Sequence, residues 1–283
     1  MTDSTAATIL VTGATDGLGR HVALELAERG ATVLVHGRDR GRCEATLEEV
    51  RRHTGRERSH YYVADLSSLD AVRGLAKQIL SEHDRLDVLV NNAGIIARER
   101  EETEDGYELT FTVNYLAHFL LTNLLLPLLR NSAPARIVNV ASAGQSPVDF
   151  RDVMLERSYD GMRAYTQSKL AQILFTFELA ERLRGTEVTA NALHPATLMD
   201  TKMVFNTFGR ASSTVQEGAE ATVRLAVSPE MKGVTGRYFD GKREARANRQ
   251  AYDEKARERL WDLSEKLCGR FLDPLDRVGN DAI

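Results

Sequence analysis

A glycine-rich loop between an apolar run and a helical pattern, close to the start of the chain, constrains the fold most. The apolar residues TILV (8–11) run directly into TGATDGLG, which places glycines at Gly13, Gly17 and Gly19. Glycine permits a tight turn and a close approach of the backbone to a pyrophosphate, while the free N–H groups of a following helix favour an anion. A purely structural turn is the alternative, but the position between strand and helix predicts a dinucleotide-binding unit.

Short apolar runs alternate with helical patterns along the rest of the chain. The predicted strands are 8–11, 31–36, 60–64, 86–91, 135–140, 187–193 and 236–240. Runs that are apolar almost throughout are typical of parallel strands covered on both faces. Repeated βα units of this kind predict an α/β protein: a single-domain Rossmann fold with a doubly wound, mostly parallel seven-stranded sheet and helices on both faces.

No linker or internal repeat divides residues 1–283, so the sequence predicts one dinucleotide-binding and catalytic domain. Three segments fit the βα pattern less well: 97–106, 143–164 and 196–214. A substrate loop is expected at about 196–214, on the side of the sheet where such folds bind ligands. A C-terminal helix is expected at about 248–267.

Composition narrows the class of protein. The chain has 37 basic and 41 acidic residues, so it lacks the excess of positive charge that would indicate a nucleic-acid partner. The most apolar stretch, 119–129, is about half the roughly 20 residues that cross a bilayer, which predicts a buried helix and no transmembrane segment. The N-terminus lacks a signal-peptide pattern. Cys43 and Cys268 form neither a disulfide framework nor metal-ligand spacing, which favours a cytoplasmic protein with reduced thiols and no metal site.

The end of the second predicted strand bears on the choice of cofactor. NAD-specific sites commonly place an acidic residue about twenty residues after the glycine loop, where this chain has His36, Gly37 and Arg38. A guanidinium suits a 2′-phosphate through both its charge and its forked geometry. Arg38 therefore favours NADP(H), with a solvated loop arginine as the alternative. Asp39 follows one place later and keeps NAD(H) possible.

Tyr165 and Lys169 lie four residues apart in a helical pattern, so their side chains are expected on one face. Free tyrosine has a pKa of about 10, and a nearby ammonium would lower that pKa toward neutrality. The pair could therefore transfer protons. The YxxxK spacing alone is unspecific, and a solvated lysine is the alternative. The order of motifs along the chain, with the glycine loop, NNAG (91–94) and a serine preceding the pair, favours the functional interpretation.

Taken together, TGATDGLG, NNAG, Asn114, Ser142 and YTQSK (165–169) resemble the short-chain dehydrogenase/reductase superfamily over essentially the whole chain. Within it, the chain looks most like the retinol-dehydrogenase-like branch. The segments that carry this finer resemblance are YTQSKLAQILFTFELAERL, NALHP and LWDLSEKLCG.

The resemblance implies a catalytic set of Asn114, Ser142, Tyr165 and Lys169. Tyr165 would exchange a proton with the substrate oxygen, and Ser142 would hydrogen-bond that oxygen. Lys169 would lower the tyrosine pKa and hold the nicotinamide ribose, while Asn114 would fix a water that links Lys169 to solvent. Read from the residues alone, Ser142 could instead cap a loop and Asn114 could be a satisfied helix residue.

The resemblance also implies the cofactor contacts. Asp65 is similar to the adenine-contacting residue of the family, although a helix N-terminal acid is the alternative. Asn91 and Ala93 would line the adenosine side, and Thr201, rather than Thr197, would contact the nicotinamide amide. The full set is Gly13, Asp16, Gly17, Leu18, Gly19, Arg38, Asp65, Leu66, Asn91, Ala93, Tyr165, Lys169, Pro195 and Thr201.

One departure from the family concerns the segment after the sixth strand. Many relatives have glycine after His-Pro, whereas this chain has Ala196 after His194 and Pro195. Alanine restricts the backbone, so the loop is expected to follow a different path. His194 is expected to be structural, since the tyrosine already supplies the proton.

The sequence therefore predicts hydride transfer between NADP(H) and a small-molecule carbonyl or alcohol. Apolar residues in the substrate loop favour a lipophilic substrate, with packing of the loop against the body as the alternative. These residues are Leu198, Met199, Met203, Val204, Phe205 and Phe208. A non-catalytic dinucleotide-sensing protein is a second possible function. A sugar-nucleotide epimerase or dehydratase is a third, although little chain remains for its substrate domain. Family resemblance implies a homodimer or homotetramer.

Overall fold

The seven apolar runs and one short additional strand form a single eight-stranded sheet in the computed structural model, which describes residues 7–55 and 57–272. The remaining positions of the predicted domain, 1–6, 56 and 273–283, lie outside the described residues. The strands are β1 Thr8–Val11, β2 Thr32–Gly37, β3 His60–Val63, β4 Val88–Asn91, β5 Ala135–Val140, β6 Val188–His194, β7 Arg237–Asp240 and β8 Arg243–Glu244.

Nine α-helices connect and cover these strands within the described residues. They are α1 Gly17–Glu28, α2 Arg40–Thr54, α3 Leu69–Glu82, α4 Leu109–Phe111, α5 Ala117–Asn131, α6 Gly161–Arg182, α7 Lys202–Phe208, α8 Val215–Val227 and α9 Glu254–Cys268. A π-helical turn, Thr112–Leu116, joins α4 to α5, and 3-10 turns lie at Pro229–Met231 and Arg249–Tyr252.

The strand order β3-β2-β1-β4-β5-β6-β7-β8 confirms the doubly wound topology. Every pair from β3 to β7 is parallel, and only β7 and β8 are antiparallel. The sequence analysis predicted seven strands because β8 consists of two exposed charged residues without an apolar pattern. The chain reverses its winding between β1 and β4, which opens a crevice at the carboxyl ends of these strands.

Two hydrophobic clusters cover the two faces of the sheet. Helices α3, α5, α6 and α9 bury their apolar sides on one face, and α1 and α8 do so on the other. The free cysteines Cys43 and Cys268 are both buried. The helical stretch Leu109–Asn131 is long and apolar enough to span a membrane, but 94% of its apolar window is buried inside the protein. Such burial is typical of a core helix, in agreement with the prediction.

Two predicted segments are subdivided. The expected C-terminal helix at 248–267 begins with the 3-10 turn Arg249–Tyr252, and α9 starts afresh because Asp253 accepts hydrogen bonds from the backbone N–H groups of Lys255 and Ala256. The substrate loop at about 196–214 contains α7, a seven-residue helix that the sequence did not predict.

Candidate active site

The glycine loop after β1 lies directly against the loop after β4. Gly13 and Gly17 have positive φ angles of 64° and 45°, which favour glycine. A Cβ on Gly13 would lie 2.9 Å from the Cα of Ala93, and one on Gly19 would collide with the carbonyl of Gly13. Thr12 Oγ1 accepts hydrogen bonds from the backbone N–H of Asn92 at 2.8 Å and of Ala93 at 3.0 Å. Gly13 and Gly19 are therefore required for this packing, which brings the loop after β4 beside the N-terminus of α1.

A cavity of about 830 Å³ extends along the carboxyl edge of the sheet. The catalytic and cofactor-binding residues predicted from the sequence line it, with two exceptions. The lining members are Gly13, Asp16, Gly17, Leu18, Gly19, Arg38, Asp65, Leu66, Ala93, Ser142, Tyr165, Lys169, Pro195 and Thr201. The exceptions are Asn91 and Asn114, which are both fully buried.

The side chain of Asn91 lies in the core instead of the cavity. Its Nδ2 donates to Thr122 Oγ1 at 3.0 Å and to Asn139 Oδ1 at 2.8 Å, which ties β4 to α5 and β5. The neighbouring Asn92, which the sequence analysis did not select, lines the cavity. The signal was available in NNAG, because the first asparagine still belongs to the strand and the second follows it.

Charged side chains surround the end of the cavity near β2. Arg38 is exposed there, and Asp39 starts α2 by accepting from the backbone N–H of Arg42 at 2.8 Å. Arg42 and Lys202 also line this end, and neither was selected from the sequence. Arg42 lies four residues after Arg38, a spacing that could have indicated it, but Lys202 belongs to an unpredicted helix.

The carboxylate of Asp16 connects this region to α1. Its Oδ1 accepts from the backbone N–H of Gly17 at 2.8 Å, and its Oδ2 lies 2.6 Å from Arg42 Nη2 and 3.2 Å from Lys202 Nζ. Burial opposes ionisation, but the hydrogen bonds from Gly17, Lys202 and Arg42 hold the pKa of Asp16 below its ordinary value.

Ser142 and Tyr165 meet at the opposite end of the cavity. Ser142 follows β5, and Tyr165 lies in the second turn of α6. Burial raises the pKa of Tyr165, and a hydrogen bond with Ser142 opposes this rise. The net direction differs from the lowering that the sequence led us to expect from Lys169.

The geometry of Lys169 explains this difference. Its Nζ donates to the carbonyl of Val140 at 2.8 Å and to Gln172 Oε1 at 2.9 Å, and it lies 5.7 Å from the centre of the Tyr165 ring. Burial lowers the pKa of Lys169 to about 7, so the lysine is protonated in only a fraction of the molecules at neutral pH. The lysine therefore does not bond the phenol here, although both side chains line the cavity.

Asn114 lies in the π-helical turn behind this end of the cavity. Its amide exchanges two hydrogen bonds with the backbone of Ile95, at 2.8 and 3.0 Å, and donates to Ser168 Oγ at 2.9 Å. A Cβ on Gly94 would lie 3.4 Å from Asn114 Oδ1 and 3.5 Å from Lys169 Nζ. Asn114 therefore holds the loop after β4 against α6, beside the lysine, and the π-helical turn gives it that position.

A buried network behind Lys169 was missed by the sequence analysis. Gln172 Nε2 lies 3.2 Å from His118 Nδ1, and His118 Nε2 lies 3.2 Å from Thr12 Oγ1. Burial lowers the pKa of His118 to about 3, which keeps the ring neutral. Polar contacts thus run from Lys169 to the glycine loop. Gln172 follows Lys169 by three residues and could have been found on the same helical face.

The substrate loop covers the cavity, and its residue Met199 also packs against the hydrophobic cluster on the α1 and α8 side of the sheet. None of the residues of α7 is buried. The apolar residues singled out from the sequence line the cavity with the exception of Phe205, which is 50% exposed. The lining members are Leu198, Met199, Met203, Val204 and Phe208.

The backbone of this loop bends sharply two residues after Ala196. Leu198 has a φ of 48°, a left-handed conformation that is uncommon for a side chain of this size. Thr201 starts α7, accepts from the backbone N–H of Val204, and lies against Gly17, where a Cβ would be 3.2 Å from the Cγ2 of Thr201. Thr197 is exposed, and its hydroxyl bonds the buried His194 ring at 2.9 Å.

The fold and the cavity together define a dinucleotide-binding Rossmann protein, and comparisons identify its family. A family model described as short chain dehydrogenase matches residues 7–210. Retinol dehydrogenase 14 from Homo sapiens is 44% identical, and the alignment covers 93% of this chain and 86% of that protein. A solved structure of an uncharacterised protein from Mycobacterium paratuberculosis is 34% identical, with a TM-score of 0.77 and 93% of both chains covered.

A further solved structure contains the cofactor. This short chain dehydrogenase from Shigella flexneri is complexed with NADP and is 26% identical, with a TM-score of 0.68; 83% of this chain and 97% of that chain are covered. The present chain belongs to the short-chain dehydrogenase/reductase superfamily, in its retinol-dehydrogenase-like branch. It is an oxidoreductase that acts on CH–OH or C=O groups with a nicotinamide dinucleotide, and the glycine cradle at the N-terminus of α1 fits that cofactor.

Proposed function

We propose that this protein is an NADP(H)-preferring alcohol dehydrogenase or carbonyl reductase for a lipophilic substrate, with Tyr165 as the proton-transfer residue. The observation that carries the proposal is a shared cavity. Ser142, Tyr165 and Lys169 line the same space as the glycine loop, so a substrate oxygen at the serine and tyrosine can lie beside a bound dinucleotide.

The nicotinamide, when bound, exchanges a hydride with the substrate carbon. The protein's own groups manage the oxygen and the proton. In reduction, the hydroxyl of Tyr165 donates its proton to the carbonyl oxygen, and in oxidation its phenolate accepts the alcohol proton. Ser142 Oγ hydrogen-bonds the same oxygen and stabilises the charge that develops there. Lys169, held by Val140 and Gln172, supplies a cationic group beside the tyrosine when protonated.

A preference for NADP(H) is supported by the charges near β2. Arg38 and Arg42 line the cavity on the side where the adenosine ribose is expected, and their guanidinium groups suit a 2′-phosphate. Asp39, the acidic residue that kept NAD(H) possible, uses its carboxylate to start α2. The arginines therefore offer a 2′-phosphate a stronger partner than Asp39 offers the free hydroxyls of an NAD(H) ribose.

A lipophilic substrate is supported by the cover of the cavity. Five apolar side chains of the substrate loop line it, and Met162 of α6 adds a sixth. Side chains of this kind bind apolar molecules by removing their surface from water. The relatives named retinol dehydrogenases act, by their names, on a lipophilic alcohol.

The proposal is tested by following NADPH and NADH absorbance with a panel of apolar aldehydes and ketones, including a retinoid aldehyde. We expect turnover with NADPH to exceed that with NADH, and Tyr165→Phe to reduce it by roughly 10³-fold or more, because the acid is lost. Tyr61→Phe is the matched control, since its hydroxyl bonds Glu44 on the surface. An active Tyr165→Phe variant would refute the mechanism, and tight dinucleotide binding without turnover would favour a sensor.

Two further properties are proposed. From the family resemblance we expect a homodimer or homotetramer, which light scattering coupled to size-exclusion chromatography measures directly. From the two reduced cysteines, Cys43 and Cys268, we expect a cytoplasmic location, which subcellular fractionation of the producing cells would test.

A further inference from the structure

Asp16 places a negative charge in a loop that binds phosphates, and this charge repels the groups that the loop binds. Its carboxylate engages three donors: the first backbone N–H of α1, at Gly17, and the side chains of Arg42 and Lys202. These are the kinds of donor that bind a phosphate. Asp16 therefore acts as an internal anion inside the cavity that receives the dinucleotide.

The position of Arg42 determines which phosphate the carboxylate opposes. Arg42 lies in the first turn of α2, four residues after Arg38, and both arginines line the cavity where β2 ends. This edge of the cavity receives the adenosine ribose in a doubly wound fold, while the pyrophosphate lies at the N-terminus of α1. Arg42 is therefore available to a 2′-phosphate only in competition with Asp16.

The ion pairs of Asp16 are of a kind that a ligand can exchange. The side chains of Asp16, Arg42 and Lys202 are 43%, 50% and 76% exposed. Ion pairs with such exposure contribute little to stability, so their partners can change at small cost. A phosphate has a larger negative charge than a carboxylate and would attract the guanidinium more strongly.

We propose that Asp16 is a specificity-determining residue that limits the preference for NADP(H) by competing with the 2′-phosphate for Arg42. The inference rests on the proposed function, because it assumes that the 2′-phosphate binds beside Arg38 and Arg42. It predicts that neutralising Asp16 strengthens the binding of 2′-phosphorylated ligands more than that of ligands with a free ribose.

The test compares 2′,5′-ADP with 5′-AMP, a pair of probes that differs only in the 2′-phosphate, by isothermal titration calorimetry at low salt. In Asp16→Asn we expect the ratio of their affinities to shift toward 2′,5′-ADP by about tenfold relative to wild type, because a repulsion is removed and Arg42 is released. Asparagine is as good an N-cap residue as aspartate, so α1 should be preserved in the variant, and an unchanged Tm would verify this. The shift should shrink as salt is raised.

Glu49→Gln is the matched control, because Glu49 also pairs an α2 side chain with α1, through Arg20, but lies outside the cavity. It should leave the affinity ratio unchanged. Adding Arg42→Gln to Asp16→Asn should remove most of the gain. Equal strengthening of both probes would overturn the inference, since Asp16 would then oppose only the 5′-phosphate that they share. A shift toward 5′-AMP would also overturn it, since Asp16 would then position Arg42.

The proposed NADP(H) preference is judged separately by the wild-type protein. If wild type binds 5′-AMP more tightly than 2′,5′-ADP, and NADH more tightly than NADPH, that preference is wrong. The inference on Asp16 is judged only by the change in the ratio on substitution. A wild type that prefers NADPH, combined with an unshifted ratio in Asp16→Asn, would overturn the inference and leave the proposed function intact.

Discussion

Helices α6 and α7 both line the substrate end of the cavity, but they are held in different ways. Most of the 22 residues of α6 are buried, and its inner face packs on β5, β6 and α9. None of the seven residues of α7 is buried. Polar contacts hold α7 at its two ends: Lys202 pairs with Asp16, and Arg98 donates to the carbonyl of Asn206 at 2.8 Å.

This contrast separates two tasks. Tyr165 and Lys169 project from α6, whose packing fixes their positions relative to Ser142, and proton transfer needs such fixed distances. Met203, Val204 and Phe208 project from α7, which can shift or change in sequence without disturbing the core. We infer that α6 carries the chemistry and α7 selects the substrate.

The largest difference is expected in stability. Phe175 of α6 is buried, and its ring centroid lies 5.4 Å from that of Phe119 and 5.9 Å from that of Trp261. Phe175→Ala should therefore lower the free energy of unfolding by about 3–5 kcal/mol. Phe205→Ala on α7 should change it by less than about 0.5 kcal/mol, because Phe205 is half exposed. Urea unfolding measures both. Similar losses in the two variants would contradict the comparison.

The second prediction concerns the fixed side of the cavity. Ser142→Ala removes the hydrogen bond that we propose Ser142 makes to the substrate oxygen, and should lower kcat/KM by roughly 10²- to 10³-fold with an unchanged Tm. Ser212→Ala is the control in the cover, where its hydroxyl only donates to the carbonyl of Thr197. It should have little effect on kcat/KM. A comparable fall in both variants would mean that the two sides of the cavity are not separable.

The sequence predicted the fixed side of the cavity much better than the cover. Apolar periodicity located α6, because Leu170, Ile173 and Leu174 face the core. Once the helix was located, the four-residue spacing of Tyr165 and Lys169 placed their side chains on one face of it. The strand boundaries were predicted to within a few residues for the same reason, because buried segments have a recognisable pattern of apolar residues. Helix α7 has no buried face, so its sequence has no hydrophobic periodicity from which the helix could have been predicted.

Features that depend on particular side-chain partners also escaped prediction. The spacing of Lys169 from Tyr165 indicated that their side chains are close, but the lysine's bonds to Val140 and Gln172 depend on tertiary packing. The pairing of Asp16 with Lys202 joins positions far apart in the chain. Strand β8 consists of two charged residues, which no propensity marks as a strand.

The third prediction uses the burial of Lys169. Burial lowers its pKa to about 7, from 10.5, so between these pH values the unfolded chain binds one proton more than the native protein. A charge on the buried lysine lowers the free energy of unfolding of wild type. Because the lysine loses this charge more readily in the native protein, the free energy of unfolding rises with pH between about 7 and 10.5. Lys169→Met, which cannot titrate, should be most stabilised relative to wild type below pH 7, and this advantage should fall by ~1–3 kcal/mol toward pH 10.

Urea unfolding at pH 6, 8 and 9.5 measures this change. The two hydrogen bonds that the variant loses shift its stability at every pH, but they do not alter the slope. Lys77→Met on α3 is the control, because Lys77 is exposed and outside the cavity, and its difference from wild type should not vary in this way. A Lys169→Met difference that is flat from pH 6 to 9.5 would show that the lysine remains charged in the native protein.

The smallest effect is expected at the tip of the cover. Phe208 lines the cavity yet is 44% exposed, so Phe208→Ala should remove part of the apolar contact with a lipophilic substrate and raise KM by ~3- to 10-fold. The contact exists equally before and during reaction, so kcat should change little, and a short-chain substrate that does not reach Phe208 should be unaffected. Phe205→Ala, on the same helix but outside the cavity lining, should leave KM unchanged. If Phe208→Ala instead lowers kcat at constant KM, α7 contributes to the geometry of proton transfer, and the division of labour between the two helices is wrong.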